Sequence, residues 1–197
     1  MRTLLLIKHA MPQIVDNGLA HTWQLSPAGR ASCIPLAERL RPYAPATVVT
    51  SREPKAAQTG QLTAEQLGLA CHAADNLHEH DRSGVEWMGD QAFQSAVMLF
   101  FRQPEDLVFG RETASAAGRR FAAALDNVLA AYPTGNLAVV AHGTVITLFV
   151  ARHNRIDPYG FWKRLGLPSI VALQLPDFKL LGVEETISPT SPTSQGA

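Results

Sequence analysis

Two nitrogen bases stand side by side at the end of the first apolar run, where Leu4 to Ile7 leads into Lys8 and His9. The pattern recurs. Lys55 follows the apolar stretch "ATVVTS" by a few residues, and His142 directly follows "LAVVA", with Gly143 and Thr144 behind it. Open α/β sheets bind ligands outside the carboxyl ends of their strands, so basic groups just past three strand ends can converge on one crevice. What they would share there is an anion. The turn His142-Gly143-Thr144 also runs straight into a helical pattern, whose unpaired N–H groups and positive dipole end suit a phosphate group.

The elements that must position these residues follow from periodicity. Short apolar runs alternate with helical segments, the mark of an α/β fold with a largely parallel sheet. Thr3 to Ile7 is the first strand. In "SPAGRASCIPLAERL" Ser26 suits an N-cap and Pro27 a first turn, and Pro35 inside the pattern should kink the helix. "ATVVTS" is a second strand, and "EPKAAQTGQLTAEQLG" a helix stopped at Gly68. "DQAFQSAVMLFFRQ" and the alanine-rich "ETASAAGRRFAAALDNVLAAY" are amphipathic helices. "LAVVAHGTVITLFVARH" reads as strand, turn and helix, while "SIVALQL" and "KLLGVE" read as closing strands about a Pro-Asp turn.

Composition narrows the partners. With 197 residues, 46% of them hydrophobic, the chain suffices for one domain with a substantial core, expected over residues 1–187. The Ser/Thr/Pro-rich stretch from Ser188 to Ala197 reads as a disordered tail. Lys+Arg and Asp+Glu are each 17, which argues against bulk attraction to nucleic acid or to a membrane surface, so any positive site is local. The N-terminal apolar run meets Lys8 too soon for a signal-peptide core or a membrane span, and the chain reads as cytoplasmic. Cys33 and Cys71 have no metal-ligand or redox spacing and are expected as reduced thiols.

Several of these stretches resemble the histidine phosphatase superfamily, which includes the cofactor-dependent phosphoglycerate mutases. "LLLIKHA" resembles the strand and Arg-His-Gly motif of that family, and "LSPAGRASCIPLAERL" its Leu-Thr-x-x-Gly helix start. "VVTSREPKAAQTGQLTAEQLGL" is similar to its Ser-x-x-x-Arg-Ala-x-Gln-Thr-Ala segment, "NLHEHDRSG" falls where its acid is expected, and "AVVAHGTVI" matches its second His-Gly turn. The resemblance implies a three-layer α/β/α sandwich and a phosphomonoesterase. It makes His9 the nucleophile that carries the phosphoryl group, held by a backbone carbonyl in the correct tautomer. Lys8, Lys55 and His142 would surround the phosphoryl oxygens, with Gly143 in the second turn, and Glu79 would be the general acid and base. Asn17 corresponds to a polar contact, and Gly110 to Thr113 to a segment near the phosphate pocket. The resemblance implies no cofactor and no metal; the ligand is a small phosphorylated substrate or a phosphopeptide.

The chain departs from the family pattern at Lys8 and Lys55, where arginines are replaced, and at Ala10, where glycine is replaced. Lysine keeps the charge but loses the planar fork that grips phosphate, which favours slow turnover. A rival reading is therefore a weakened or inactive member that binds a phosphorylated ligand. Within "HEHDR" both Glu79 and Asp81 are candidate acids, and His78, His80 and Asp81 offer a metal-ligating alternative. The region from about Leu77 to Gly110 would line the pocket mouth, where Arg82, Trp87, Arg102 and the phenylalanines offer both apolar and anion-contacting surface; Phe93, Phe100, Phe101 and Trp162 are most simply core or wall.

Overall fold

The first strand, β1 (Thr3–Lys8), has no solvent face: Leu4, Leu5, Leu6 and Ile7 are all fully buried. A strand covered on both sides reads as an unbroken apolar run, which is why alternation is missing from its sequence. In the computed structural model, which describes residues 2–15, 19–86 and 88–188, it lies inside a six-stranded sheet.

The elements follow in chain order. After β1 come α1 (Pro27–Ala31), α2 (Cys33–Leu40), β2 (Pro45–Ser51), α3 (Pro54–Leu67) and β3 (Cys71–Ala74). Next are α4 (Asp90–Arg102), α5 (Ala114–Ala131), β4 (Asn136–Ala141), α6 (Gly143–His153) and α7 (Pro158–Arg164). The antiparallel pair β5 (Ser169–Gln174) and β6 (Lys179–Glu184) closes the sheet. The strand order is β3-β2-β4-β1-β5-β6, parallel from β3 through β1 and antiparallel beyond.

Successive side chains of a strand point to opposite faces, so β1 feeds two cores. Leu4 and Leu6 join Phe121, Leu125 and Val128 of α5 and Phe149 of α6 on one face. Leu5 and Ile7 join Leu36 and Leu40 of α2 and Ala56 and Ala64 of α3 on the other. Two cores sharing one sheet make a single α/β domain of three layers. Each fully buried Leu or Phe in them contributes about 1.5 to 3 kcal/mol.

The helix starts follow the expected capping chemistry. Ser26 Oγ accepts from Gly29 N at 3.0 Å to open α1, and α3 ends at Gly68 with a φ of 69°. The Pro35 kink takes a different form: the helix breaks at Ser32, between α1 and α2, so the proline sits in the first turn of a new helix where its missing N–H matters least. The sequence reading missed β3, a four-residue edge strand, and α7, although Asp157 caps α7 and Pro158 opens it. Residues 189–197 of the expected tail lie outside the described residues. Among the described residues, no helix is long and apolar enough to cross a membrane.

One glycine ties the helical layer to the loop that follows β1. A Cβ on Gly29 would stand 2.1 Å from the carbonyl oxygen of Met11, which also accepts from Ser26 N at 3.0 Å and Ser26 Oγ at 3.1 Å. Neither backbone has room to give. Gly29→Ala is expected to cost about 1 to 3 kcal/mol, read as a thermal midpoint lower by about 2 to 4 °C per kcal/mol. An unchanged midpoint would show that the loop simply moves aside.

Candidate active site

The carboxyl ends of β1, β4 and β2 are neighbours in the sheet and run parallel, so the basic residues that follow them meet. His9 and His142 face one another with ring centroids 5.2 Å apart and planes at 61°. His9 N is fixed by donating to Ala141 O at 3.1 Å. Its ring Nδ1 lies 2.8 Å from the carbonyl oxygen of Ala10. A carbonyl only accepts, so Nδ1 carries the proton and Nε2 keeps its lone pair. Burial, reinforced by the Lys55 charge, pushes the His9 imidazole down to about 3, and the ring is neutral at physiological pH.

His142 is fully buried, and Nε2 stands 3.0 Å from Ser51 Oγ at the end of β2. Burial first, then the neighbouring His9 and Lys55, drives its basicity well below the usual imidazole range. Its Nδ1 is buried with no hydrogen-bond partner among the described residues. A pair of neutral imidazoles at this spacing combines a nucleophile with a polar neighbour.

The two lysines reach the same place by different routes. Lys8 lies against Gly143, where a Cβ would come within 3.1 Å of its Cε, so the glycine makes room for the ammonium stem. Lys8 Nζ donates to Leu165 O at 2.5 Å. Burial lowers it to about 8; Glu79 opposes that shift and Arg82 adds to it. Lys55, in the first turn of α3, donates to Ala20 O at 2.6 Å and pairs with Glu53 Oε2 at 2.5 Å. Glu53 itself also accepts from Glu79 N at 2.8 Å and stands 3.7 Å from His142 Nε2.

Glu79, 17% exposed, reaches the opening turn of α6, where its Oε2 accepts from Thr144 N at 3.1 Å and its Oε1 from His80 N at 2.9 Å. The helix N-terminus that suited a phosphate on sequence grounds therefore already holds a carboxylate. Burial alone would raise Glu79, but the Arg82 charge and these two amide donors outweigh it and hold the carboxyl below its ordinary value.

The family model of the histidine phosphatase superfamily (branch 1) matches residues 4–179. The chain belongs to this superfamily. Similar solved structures share its fold at low identity. A mycobacterial glucosyl-3-phosphoglycerate phosphatase is 18% identical with a TM-score of 0.70, over 87% of this chain and 89% of that one. A phosphoserine phosphatase of Entamoeba histolytica, solved with 3-phosphoglyceric acid, is 17% identical with a TM-score of 0.75, over 94% and 98%. YhfR of Bacillus stearothermophilus is 17% identical with a TM-score of 0.73, over 95% and 98%. No curated protein sequence matches the chain.

Within this histidine phosphatase superfamily domain the two candidate acids separate. Asp81 turns away, accepting from Ser83 N at 2.9 Å and Ser83 Oγ at 2.5 Å, whereas Glu79 enters the site. His80 does not join His78 and Asp81: its ring packs on Phe100 at 4.2 Å and Phe109 at 4.7 Å, with Nε2 3.1 Å from Glu112 O. Among the described residues no group of three or more His, Cys, Asp or Glu side chains is assembled to hold a metal ion. Gly110 to Thr113 supports the acid loop from outside the site. Glu112 accepts from Asp81 N at 3.0 Å, and Arg120 of α5 binds Glu112 together with the carbonyls of Asn76, His78 and Glu79.

Ala10 is fully buried with an ordinary negative φ, and its N donates to Thr59 Oγ1 at 3.0 Å, so the missing glycine leaves no backbone strain. Asn17 and Trp87 lie outside the described residues. Sequence reasoning missed Glu53 and Ser51, and it read the Thr144 turn as a phosphate site where the structure places the Glu79 carboxylate. The first was concealed as an exposed-looking acid before a helix proline, and only its distance from Lys55 and His142 reveals it.

Proposed function

We propose that the protein is a metal-independent phosphomonoester hydrolase that works through a phosphohistidine at His9. The observation that carries this reading is the His9 ring: its Nδ1 proton faces the Ala10 carbonyl, and the neutral Nε2 remains free beside His142 and two ammonium groups. In the first step the Nε2 lone pair forms a bond to phosphorus while the ester P–O bond breaks, and the leaving oxygen takes its electron pair and a proton from Glu79. In the second, water gives a proton to Glu79 and attacks phosphorus, the N–P bond breaks, and orthophosphate departs. Lys8, Lys55 and the free Nδ1 of His142 stabilise the phosphoryl oxygens throughout.

The substrate class is a small phosphate monoester, and a phosphopeptide is the wider alternative. The second reading, a weakened member that binds a phosphorylated ligand, is favoured by one observation: Lys55 is already committed to Glu53. Phosphate release from a panel of phosphorylated metabolites and phosphopeptides separates the two. Release above the His9→Ala background supports the enzyme, while binding without release supports the ligand-binding protein.

The pH dependence supplies a further check. Lys8 loses its charge near pH 8, so kcat/KM, which reports the free enzyme, is expected to fall as pH rises through about 8. Lys8→Arg should abolish that limb, because a guanidinium stays charged far above it. A wild-type profile flat to pH 10 would refute the assignment of Lys8 to the phosphoryl group.

A further inference from the structure

Among the described residues, the cations around His9 and His142 are not equivalent. Lys8 and Lys55 are point charges already drawn onto protein oxygens, Leu165 O in one case and Ala20 O with Glu53 in the other. Arg52, next along from Ser51, turns outward to pair with the exposed Asp75. One planar fork remains, and it arrives from the loop between β3 and α4.

Arg82 Nη2 donates to Thr144 Oγ1 at 2.9 Å, in the opening turn of α6, and stands 3.8 Å from Glu79 Oε2. Its guanidinium lies 4.9 Å from the ring centre of Phe93 and 5.9 Å from that of Phe109, so aromatic walls fix its plane. Its Nε is buried without a hydrogen-bond partner among the described residues. The main chain beneath it is braced. Ser83 is tied to Asp81, Val85 N donates to Arg82 O at 3.1 Å, and Arg111 Nε donates to Ser83 O at 3.3 Å. A charged fork with unused donors, held between aromatic walls at the opening turn of α6 beside Glu79, is built to receive a second anion.

We infer that Arg82 is the phosphate-gripping residue of this site, donating to two phosphoryl oxygens of the substrate from the loop side while Lys8 at the end of β1 and Lys55 in the first turn of α3 contribute charge. The inference rests on the phosphatase reading above. It also gives Arg82 a second effect. As the guanidinium turns from Glu79 to the incoming oxygens, Glu79 loses the charge that favours its ionised form, takes the proton carried in by the monoanionic ester, and passes it to the leaving oxygen in the first step. One movement thus couples binding of the ester to the arming of its acid.

Three variants of the full chain test this: Arg82→Ala, Arg82→Lys, and Lys8→Arg combined with Arg82→Ala. The readouts are orthophosphate binding by calorimetry, and kcat/KM with an aryl phosphate across pH. Loss of one preorganised donor typically costs about 100- to 1,000-fold in rate, and Arg82→Ala is expected in that range with weakened orthophosphate binding. Arg82→Lys should recover only part of either readout, because it returns the charge without the fork. Methylguanidinium added to Arg82→Ala should restore turnover, and so should Lys8→Arg in that background, since each returns a fork to the pocket.

Wild-type orthophosphate affinity and kcat/KM in a folded Arg82→Ala protein would overturn the inference, as would full activity in Arg82→Lys. Should Arg82→Ala fail to fold, Arg82→Lys decides by the same two readouts. The phosphatase reading fails separately: if His9→Ala turns over normally, the phosphohistidine step is wrong, while orthophosphate affinity still judges Arg82.

Discussion

His9→Ala is expected to lower phosphate release by about 10,000-fold or more and to abolish any covalent phosphoenzyme. The expectation follows from the local geometry. Replacing the ring removes the nitrogen whose proton is fixed on the far side by the Ala10 carbonyl, and His142, just past the end of β4, has its Nε2 at Ser51. Rapid quenching of wild type with a radiolabelled aryl phosphate should trap about one label per active chain, labile in acid and stable in base, and absent from the variant. Because both histidines are neutral and buried, the adduct should form across the range from pH 5 to 8 without an imidazole titration. Brisk consumption of ester by wild type with no label at residue 9 would end the phosphohistidine account.

Glu79→Gln produces two opposite effects. General acid and base catalysis contributes about 100- to 10,000-fold, and turnover should fall by that amount. Orthophosphate should nonetheless bind more tightly, because the substitution removes a negative charge that competes for Arg82 and for the Thr144 amide. An aryl phosphate, whose leaving group departs without help, distinguishes the two steps. Phosphorylation of His9 should survive while its hydrolysis slows, so the variant should show a burst of phenol and accumulate the adduct. Equal slowing of burst and steady state would place Glu79 outside the second step, and unchanged turnover would return the choice of acid to Asp81.

The legibility of the molecule in its sequence differed by element. β1 and β4 were plain because strands buried on both faces write themselves as unbroken apolar runs, and the helix starts were plain because Ser26 and Gly68 announce a cap and a stop. The meeting of His9 with His142 was legible as well, since parallel neighbouring strands bring their ends together. β3 was not, because Cys71 to Ala74 is short, lies at an edge and carries no alternation. The long-range polar contacts were hidden for a different reason. Whether Glu53 turns toward Lys55 or into water, and whether Arg82 or Asp81 turns toward Thr144, depends on contacts with α6 and with the Glu112–Arg120 brace that no local pattern records. The amide of Thr144 was read as a phosphate donor because the helix start was visible while the carboxylate that occupies it came from a loop 65 residues away.

Under the proposed function, the Glu53–Lys55 pair changes what it means for a phosphorylated ligand to arrive. A bare cluster of cations draws any anion from a distance, with chloride and sulfate competing on nearly equal terms. Here the resident carboxylate screens that attraction, so association becomes an exchange of partners: the newcomer must coax the ammonium away from Glu53 and offer better geometry than the acid it displaces. Selectivity is thereby moved from long-range pull to close fit, and a tetrahedral group with several oxygens meets that demand where a simple halide does not.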